Sequence, residues 1–230
     1  MGTERAPYGQ WLTGKDVRRL TVASTPIGKG SFGEVFQGRL HFNNGTTRRV
    51  AVKKFSTPLS QSDVRKYEKV IERLARAEVQ IPKMGFLKHE GEWVQVSSLF
   101  GGTETGSKLS SSSNSDVESR IEALTEHVYR LHQAGFTIED DEIHFYRTQQ
   151  GVKTATVDID IYAREPRKLS GPKLFEANAQ SVARFAPRPF RRNAIQAFLD
   201  KFNITPEKKR EIIRKIISDD GKMINFFGTE

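Results

Sequence analysis

Between Leu20 and Phe55 apolar and β-branched residues run in short alternating stretches, broken by Gly and by the turn signal Asn43-Asn44-Gly45. That pattern predicts three antiparallel strands, with a hairpin between the last two. From 60 to 79 the period changes: Val64, Tyr67, Ile71, Leu74 and Ala75 recur at helical spacing, Ser62 or Ser60 offers an N-terminal cap, and Pro82 enforces a stop. Phe86-Leu87 and Trp93-Val94-Gln95-Val96, placed around Gly91, predict a second hairpin that ends at Gly101-Gly102 and brings the sheet to five strands. Residues 103–115, with serines at every position from 110 to 113, carry too little apolar surface to order firmly and read as a flexible joint. Beyond it Val117, Ile121, Leu124, Val128 and Leu131 form a helical stripe that Gly135 terminates. Ile143 to Arg147 and Val152 to Ile161 read as paired strands joined through Gln149-Gln150-Gly151, and after Pro172 the pattern is helical over about 174–185, 190–202 and 206–218. The chain is therefore expected to be α+β in two parts, a sheet with one helix over 1–102 and a mainly helical part over 116–230.

Composition narrows the class. With 230 residues, 36% apolar and 28% charged, the chain can bury a core, and it has no apolar run long enough to span a bilayer. A soluble globular protein is expected. There is no Cys, so disulfides, thiolate zinc sites and cysteine nucleophiles are excluded. The polar start Met-Gly-Thr-Glu-Arg-Ala-Pro lacks the apolar stretch of a secretory signal. A net charge of +9 favours encounters with acidic partners such as ATP, nucleic acid or anionic lipid without choosing among them. The basic clusters at Arg188, Arg191 and Arg192 and at Lys208, Lys209 and Arg210 fit solvated faces, or a docking surface. His41, His89, His127, His132 and His144 show no close pairing with acidic ligands that would suggest zinc.

The candidate chemistry starts at Ile27-Gly28-Lys29-Gly30-Ser31-Phe32-Gly33-Glu34-Val35. Gly28, Gly30 and Gly33 allow a tight strand-turn-strand to lie against phosphates and offer backbone N–H groups, with Ser31 and Phe32 at the tip. A dinucleotide-binding motif of the same spelling should open a helix, whereas Glu34 to Leu40 reads as extended. Lys53 closes a strand-like Val-Ala-Val-Lys, in which alternation places it on one face with Ala51. Such a lysine needs a carboxylate, and the following helix offers Glu68 and Glu72 one turn apart. Further along, Asp140 ends Leu131-His132-Gln133-Ala134-Gly135-Phe136-Thr137-Ile138-Glu139-Asp140, and Thr156-Val157-Asp158-Ile159-Asp160 follows.

Over roughly residues 20–165 these motifs resemble the protein kinase superfamily. The first run resembles its glycine-rich loop, Val-Ala-Val-Lys its phosphate-contacting lysine strand, the run ending at Asp140 its catalytic loop, and Asp158 the metal-binding aspartate of Asp-Phe-Gly. The resemblance implies a bilobal fold with a five-stranded antiparallel N-lobe and a reduced helical C-lobe. It implies ATP and Mg²⁺ as cofactors and transfer of the γ-phosphoryl group to a Ser/Thr hydroxyl of a protein. Lys53 and Asp140 would be catalytic, with Asp158 on Mg²⁺ and with Glu72, whose distance to the Ile81-Pro82 break resembles the family's, preferred over Glu68 as the partner of Lys53. Ile27, Val35, Ala51, Val96 as gatekeeper, and the main chain of Ser98 and Leu99 would line the nucleotide pocket. The family's His and Arg before the catalytic aspartate are Ile138 and Glu139 here, and its metal-binding Asn is Phe145. Asp160, where the family has Gly, is expected to supply the missing oxygen ligand or to act as a turn carboxylate. The short remainder after Asp158 resembles the reduced kinases that some bacterial pathogens deliver into host cells, which implies a cytoplasmic location or export into a host without a Sec-type signal, and a host protein as substrate. A pseudokinase that binds nucleotide or a protein, and a small-molecule or lipid kinase, remain open; a nucleic-acid binder rests on charge alone.

Overall fold

In the computed structural model the described residues are 17–99, 104–105, 114–138, 143–148, 151–156, 158–164 and 169–223. The chain divides into two compact units, one of Met1–Gly102 with Thr156–Pro166 and the other of Thr103–Ala155 with Arg167–Glu230.

The first unit is built on five antiparallel strands: β1 (Val17–Gly30), β2 (Gly33–Phe42), β3 (Thr47–Phe55), β4 (Met84–His89) and β5 (Glu92–Ser98), in the spatial order β1-β2-β3-β5-β4. The turn signals act as their chemistry requires. Gly45 has φ 80° between β2 and β3, and Glu90 and Gly91, with φ 54° and 86°, form the two-residue connection of β4 and β5. Period-two alternation sorts the side chains into two faces. Leu20, Leu40, Val50, Val52, Val94 and Val96 make a buried cluster on one of them. The other, carrying Lys53, Phe55, Phe86 and Gln95, is covered by helix α1 (Gln61–Arg76).

Helix α1 opens on Ser60, which forms a capping box with Asp63: the Ser60 hydroxyl accepts from the Asp63 N–H at 3.2 Å, and the Asp63 carboxylate accepts from the Ser60 N–H at 3.1 Å. Lys66 and the Ser60 donors hold the Asp63 carboxyl well below its ordinary pKa. The helix buries Val64, Tyr67, Val70, Ile71 and Leu74, and each such side chain contributes about 1.5–3 kcal/mol by leaving water.

In the second unit, helix α2 (Asn114–Gln133) buries the expected stripe of Val117, Ile121, Leu124, Val128 and Leu131, and Gly135 at φ 75° ends it. Strands β6 (Glu104–Thr105), β7 (Ile143–Thr148) and β8 (Gly151–Thr156) form a second sheet in that order. Of the joint expected at 103–115, β6 and the start of α2 are described and the remainder lies outside the described residues. Helices α4 (Gly171–Phe185), α5 (Arg191–Leu199) and α6 (Pro206–Met223) follow, with a short 3-10 turn at Arg188–Phe190. His132 packs edge-on against Phe175 and Phe202. Among the described residues no helix is long and apolar enough to cross a membrane.

One expected element changes. The strand placed over 152–161 stops at Thr156, and the five-residue helix α3 (Asp160–Arg164) begins instead. The Asp158 carboxylate accepts from the Asp160 N–H at 3.0 Å, the local bond by which an aspartate opens a helix rather than extending a strand. Thr156 returns the chain to the first unit by donating its N–H to the Gln80 carbonyl at 2.9 Å, and α3 then packs on α1.

Candidate functional site

The glycine run forms the β1–β2 hairpin, with Gly30 opposite Gly33 and only Ser31 and Phe32 between them. The Phe32 carbonyl accepts from the Ser56 N–H at 3.0 Å, which ties the tip to the end of β3. The glycines here fall into two kinds. At Gly33, φ is 157°, and a Cβ would overlap the Lys54 carbonyl; at Gly38, a Cβ would come within 2.5 Å of Val52 Cγ2. Those two are demanded by the fold. Gly28 and Gly30 have no left-handed φ, a Cβ on Gly28 would make only an ordinary contact with Val35, and one on Gly30 would meet nothing within 4 Å. Neither packing nor backbone conformation requires glycine at these two positions.

Gly28 pairs with Val35, and Val35 with Lys53. The three form a row across neighbouring strands, which puts the Gly28 and Lys53 backbones about 10 Å apart at the usual strand spacing. Gln37 opposite Ala51 forms the next row. Lys53 is buried, and its ammonium donates to Asp158 Oδ2 at 2.8 Å and to Asp160 Oδ2. The other Asp160 oxygen, Oδ1, accepts from the Tyr67 hydroxyl at 2.7 Å. The Tyr67 ring lies 5.7 Å from Phe55 and 5.2 Å from Phe86, centroid to centroid. Strand β3 and the α3 segment thus meet at the ammonium, and helix α1 joins them through the Tyr67 hydroxyl on Asp160.

Burial is the largest influence on each group in this cluster. It would depress the Lys53 pKa, but Asp158 and Asp160 overcome it and leave the ammonium above its ordinary value. It would raise Asp158, but Lys53 and the Asp160 N–H hold that carboxyl below the usual range. For Asp160 burial and the neighbouring Asp158 prevail, and its pKa is raised. One cation between two carboxylates therefore favours ionisation of Asp158 first.

Several expected residues lie elsewhere. Glu72 points to solvent, 65% exposed, and meets Arg76 at 3.4 Å; Glu68 is also exposed. Neither takes the place beside Lys53, because the phase that buries Tyr67, Ile71 and Leu74 turns both outward. Val96 pairs with Val52 and sits in the cluster on the opposite face from Lys53, so it is not a pocket-lining gatekeeper; Ser97, opposite Ala51, holds that register position. Ser98 spends its N–H on the Lys83 carbonyl at 2.8 Å, which removes it as a donor to a base. Ile27 and Leu99 are exposed at 61% and 38%, large apolar side chains without a covering partner surface. Ser31 is exposed and Phe32 partly so. Asp140 lies outside the described residues.

Asp160 does not fit the expected metal-ligand role: its side chain is buried, and its oxygens already accept from Tyr67 and Lys53. Asp158 does fit a hard divalent cation, since its carboxylate is ionised and 42% exposed. Among the described residues no group of three His, Cys, Asp or Glu could hold a metal ion. In the second unit Phe145 is buried in β7, paired with Glu104. Asn178, which the sequence did not single out, is fully buried and donates to the Phe136 carbonyl at 3.0 Å, fixing the segment that leads toward Asp140.

The chain matches no protein-family model and no curated protein.

Proposed function

We propose that this protein is an ATP-dependent phosphotransferase of the protein-kinase type, moving the γ-phosphoryl group of ATP to a Ser or Thr hydroxyl of a protein substrate. The observation that carries the proposal is the row Gly28–Val35–Lys53 ending in an ammonium held by Asp158. It sets the glycine hairpin and the strand that carries a buried cation two strand spacings, about 10 Å, apart on one sheet. Gly28 and Gly30 admit the phosphates, Lys53 neutralises their non-bridging oxygens, and Val35 and Ala51 supply an apolar surface for the base. Asp158 would hold Mg²⁺, which when bound neutralises charge on the phosphates. The resemblance assigns Asp140 to the acceptor hydroxyl: its carboxylate takes the proton, a P–O bond forms to the acceptor oxygen, and the bond from the γ-phosphorus to ADP breaks.

Phe145 supports a second reading, a nucleotide-binding module without turnover. Where the resembled family carries a metal-binding Asn, this chain buries a phenyl ring. Transfer of radiolabel from γ-labelled ATP to protein separates the two. The kinase reading predicts incorporation into protein extract or into the chain itself, abolished by Lys53→Ala and by Asp140→Ala. Nucleotide binding with no transfer supports the module, and absence of both removes the two readings together.

A further inference from the structure

The kinase reading leaves unanswered what holds Lys53 once phosphate and a divalent cation claim Asp158, given that neither acidic residue on the outer face of α1 reaches it. We propose that Tyr67 and Asp160 are the positioning pair for Lys53: the Tyr67 hydroxyl orients the Asp160 carboxylate, and Asp160 retains the ammonium while Asp158 turns to its ligand. The inference deepens the phosphotransferase reading and rests on it for the identity of that ligand.

Three observations lead there. First, the two aspartates are unequal: Asp158 keeps an exposed edge, whereas Asp160 is buried with one oxygen on Tyr67 and the other on Lys53. An exposed carboxylate can exchange partners with solvent and ligand, while a buried one whose oxygens are both bonded keeps its geometry. Second, Tyr67 is 1% exposed and its ring is fixed between Phe55 and Phe86, so its hydroxyl is aimed by packing rather than by chance rotation. Third, the contact joins α1 to α3 and β3 through a neutral donor, without using the charged outer face of the helix. Lysine positioning in this chain then needs no inward rotation of α1, because the anchoring carboxylate belongs to the same short segment as Asp158. The site is assembled in the resting fold.

The test uses the full chain, folded state verified by circular dichroism, with two readouts. The rate of Lys53 acylation by a water-soluble amine reagent is read by peptide mass spectrometry without nucleotide, and the Kd of a non-hydrolysable ATP analogue with Mg²⁺ is read by fluorescence anisotropy. Tyr67→Phe keeps the ring and removes only the hydroxyl. It is expected to speed Lys53 acylation about tenfold, because a loosened Asp160 holds the ammonium less firmly, and to raise the Kd by about the same factor, the size that loss of one hydrogen bond to a charged group gives. Asp160→Asn, which keeps volume and an acceptor for Tyr67, is expected to act in the same direction and serves if Tyr67→Phe fails to fold. Glu72→Gln is expected to leave the acylation rate at the wild-type value. Unchanged acylation in both Tyr67→Phe and Asp160→Asn, or a Glu72→Gln effect of equal size, overturns the inference. Accelerated acylation in a protein that binds no nucleotide upholds the Tyr67–Asp160 anchor and removes the kinase reading instead.

Discussion

Helix α1 and the segment at 158–160 each offer two closely spaced carboxylates to the same sheet, and only one offer is taken up. Glu68 and Glu72 stand exposed on α1, whereas Asp158 and Asp160 reach Lys53. Helical phase is the cause. At 3.6 residues per turn Glu72 lies about 140° around the helix from Tyr67, and Tyr67 is the residue that the apolar stripe commits to the sheet. A carboxylate on α1 would face Lys53 only by replacing a buried aromatic. The α3 segment has no such conflict, because Ile159, between the two aspartates, is the residue that goes into the core. Proximity in sequence to a plausible motif thus counts for less than which face the packing has already claimed.

The largest effect expected from breaking this asymmetry is on stability. Asp160→Ala leaves the buried Lys53 with the half-exposed Asp158 and strands the Tyr67 hydroxyl, and should cost about 3–5 kcal/mol in urea unfolding. Lowering the pH provides a contrast from the second unit. Burial, helped by Arg130, pushes His127 down to about 3. Its unfolded form takes up a proton near pH 6.5 while the folded form does not, so stability should fall as pH drops below 6.5, by up to about 1.4 kcal/mol per unit, and level off near pH 3. Urea midpoints from pH 7 to pH 4, flattened in His127→Gln, would show it. Tyr67→Phe comes next, at about 1–2 kcal/mol for the acceptor it strands on Asp160. Ser60→Ala, which removes the cap of α1, should cost about 1 kcal/mol by thermal melting. Smallest of all, Glu72→Ala should stay within about 0.5 kcal/mol, as an exposed i,i+4 pair implies; a cost above 1 kcal/mol would place Glu72 in the core of the account and break the comparison.

Much of the first unit could be read directly. The strands and turns follow from alternation and from the Asn43-Asn44-Gly45 and Gly91 signals, and the helix from its apolar stripe and Ser60. What escaped the sequence was orientation. A one-residue difference in strand register sends Val96 to the far face, and no local pattern distinguishes Val96 from Ser97 as the residue beside Ala51. Asp160 was visible as a carboxylate, but its role depends on a tyrosine hydroxyl distant in sequence that looked like one more apolar position of the stripe. A bond to a distant backbone carbonyl likewise hid Asn178, whose contact with Phe136 has no sequence signature. Gly28 and Gly30 could be suspected from spelling alone; what separates them from Gly33 and Gly38 is the space around them, which only coordinates give.

The account turns on whether the Gly28–Lys53 row receives a triphosphate. Titrating a fluorescent, non-hydrolysable ATP analogue with Mg²⁺ into wild type, Gly30→Val and Lys53→Ala measures that directly. Saturable binding to wild type, lost in Lys53→Ala and weakened in a Gly30→Val protein that melts at the wild-type temperature, is the predicted result. No binding to wild type, or binding that neither substitution alters, would contradict it.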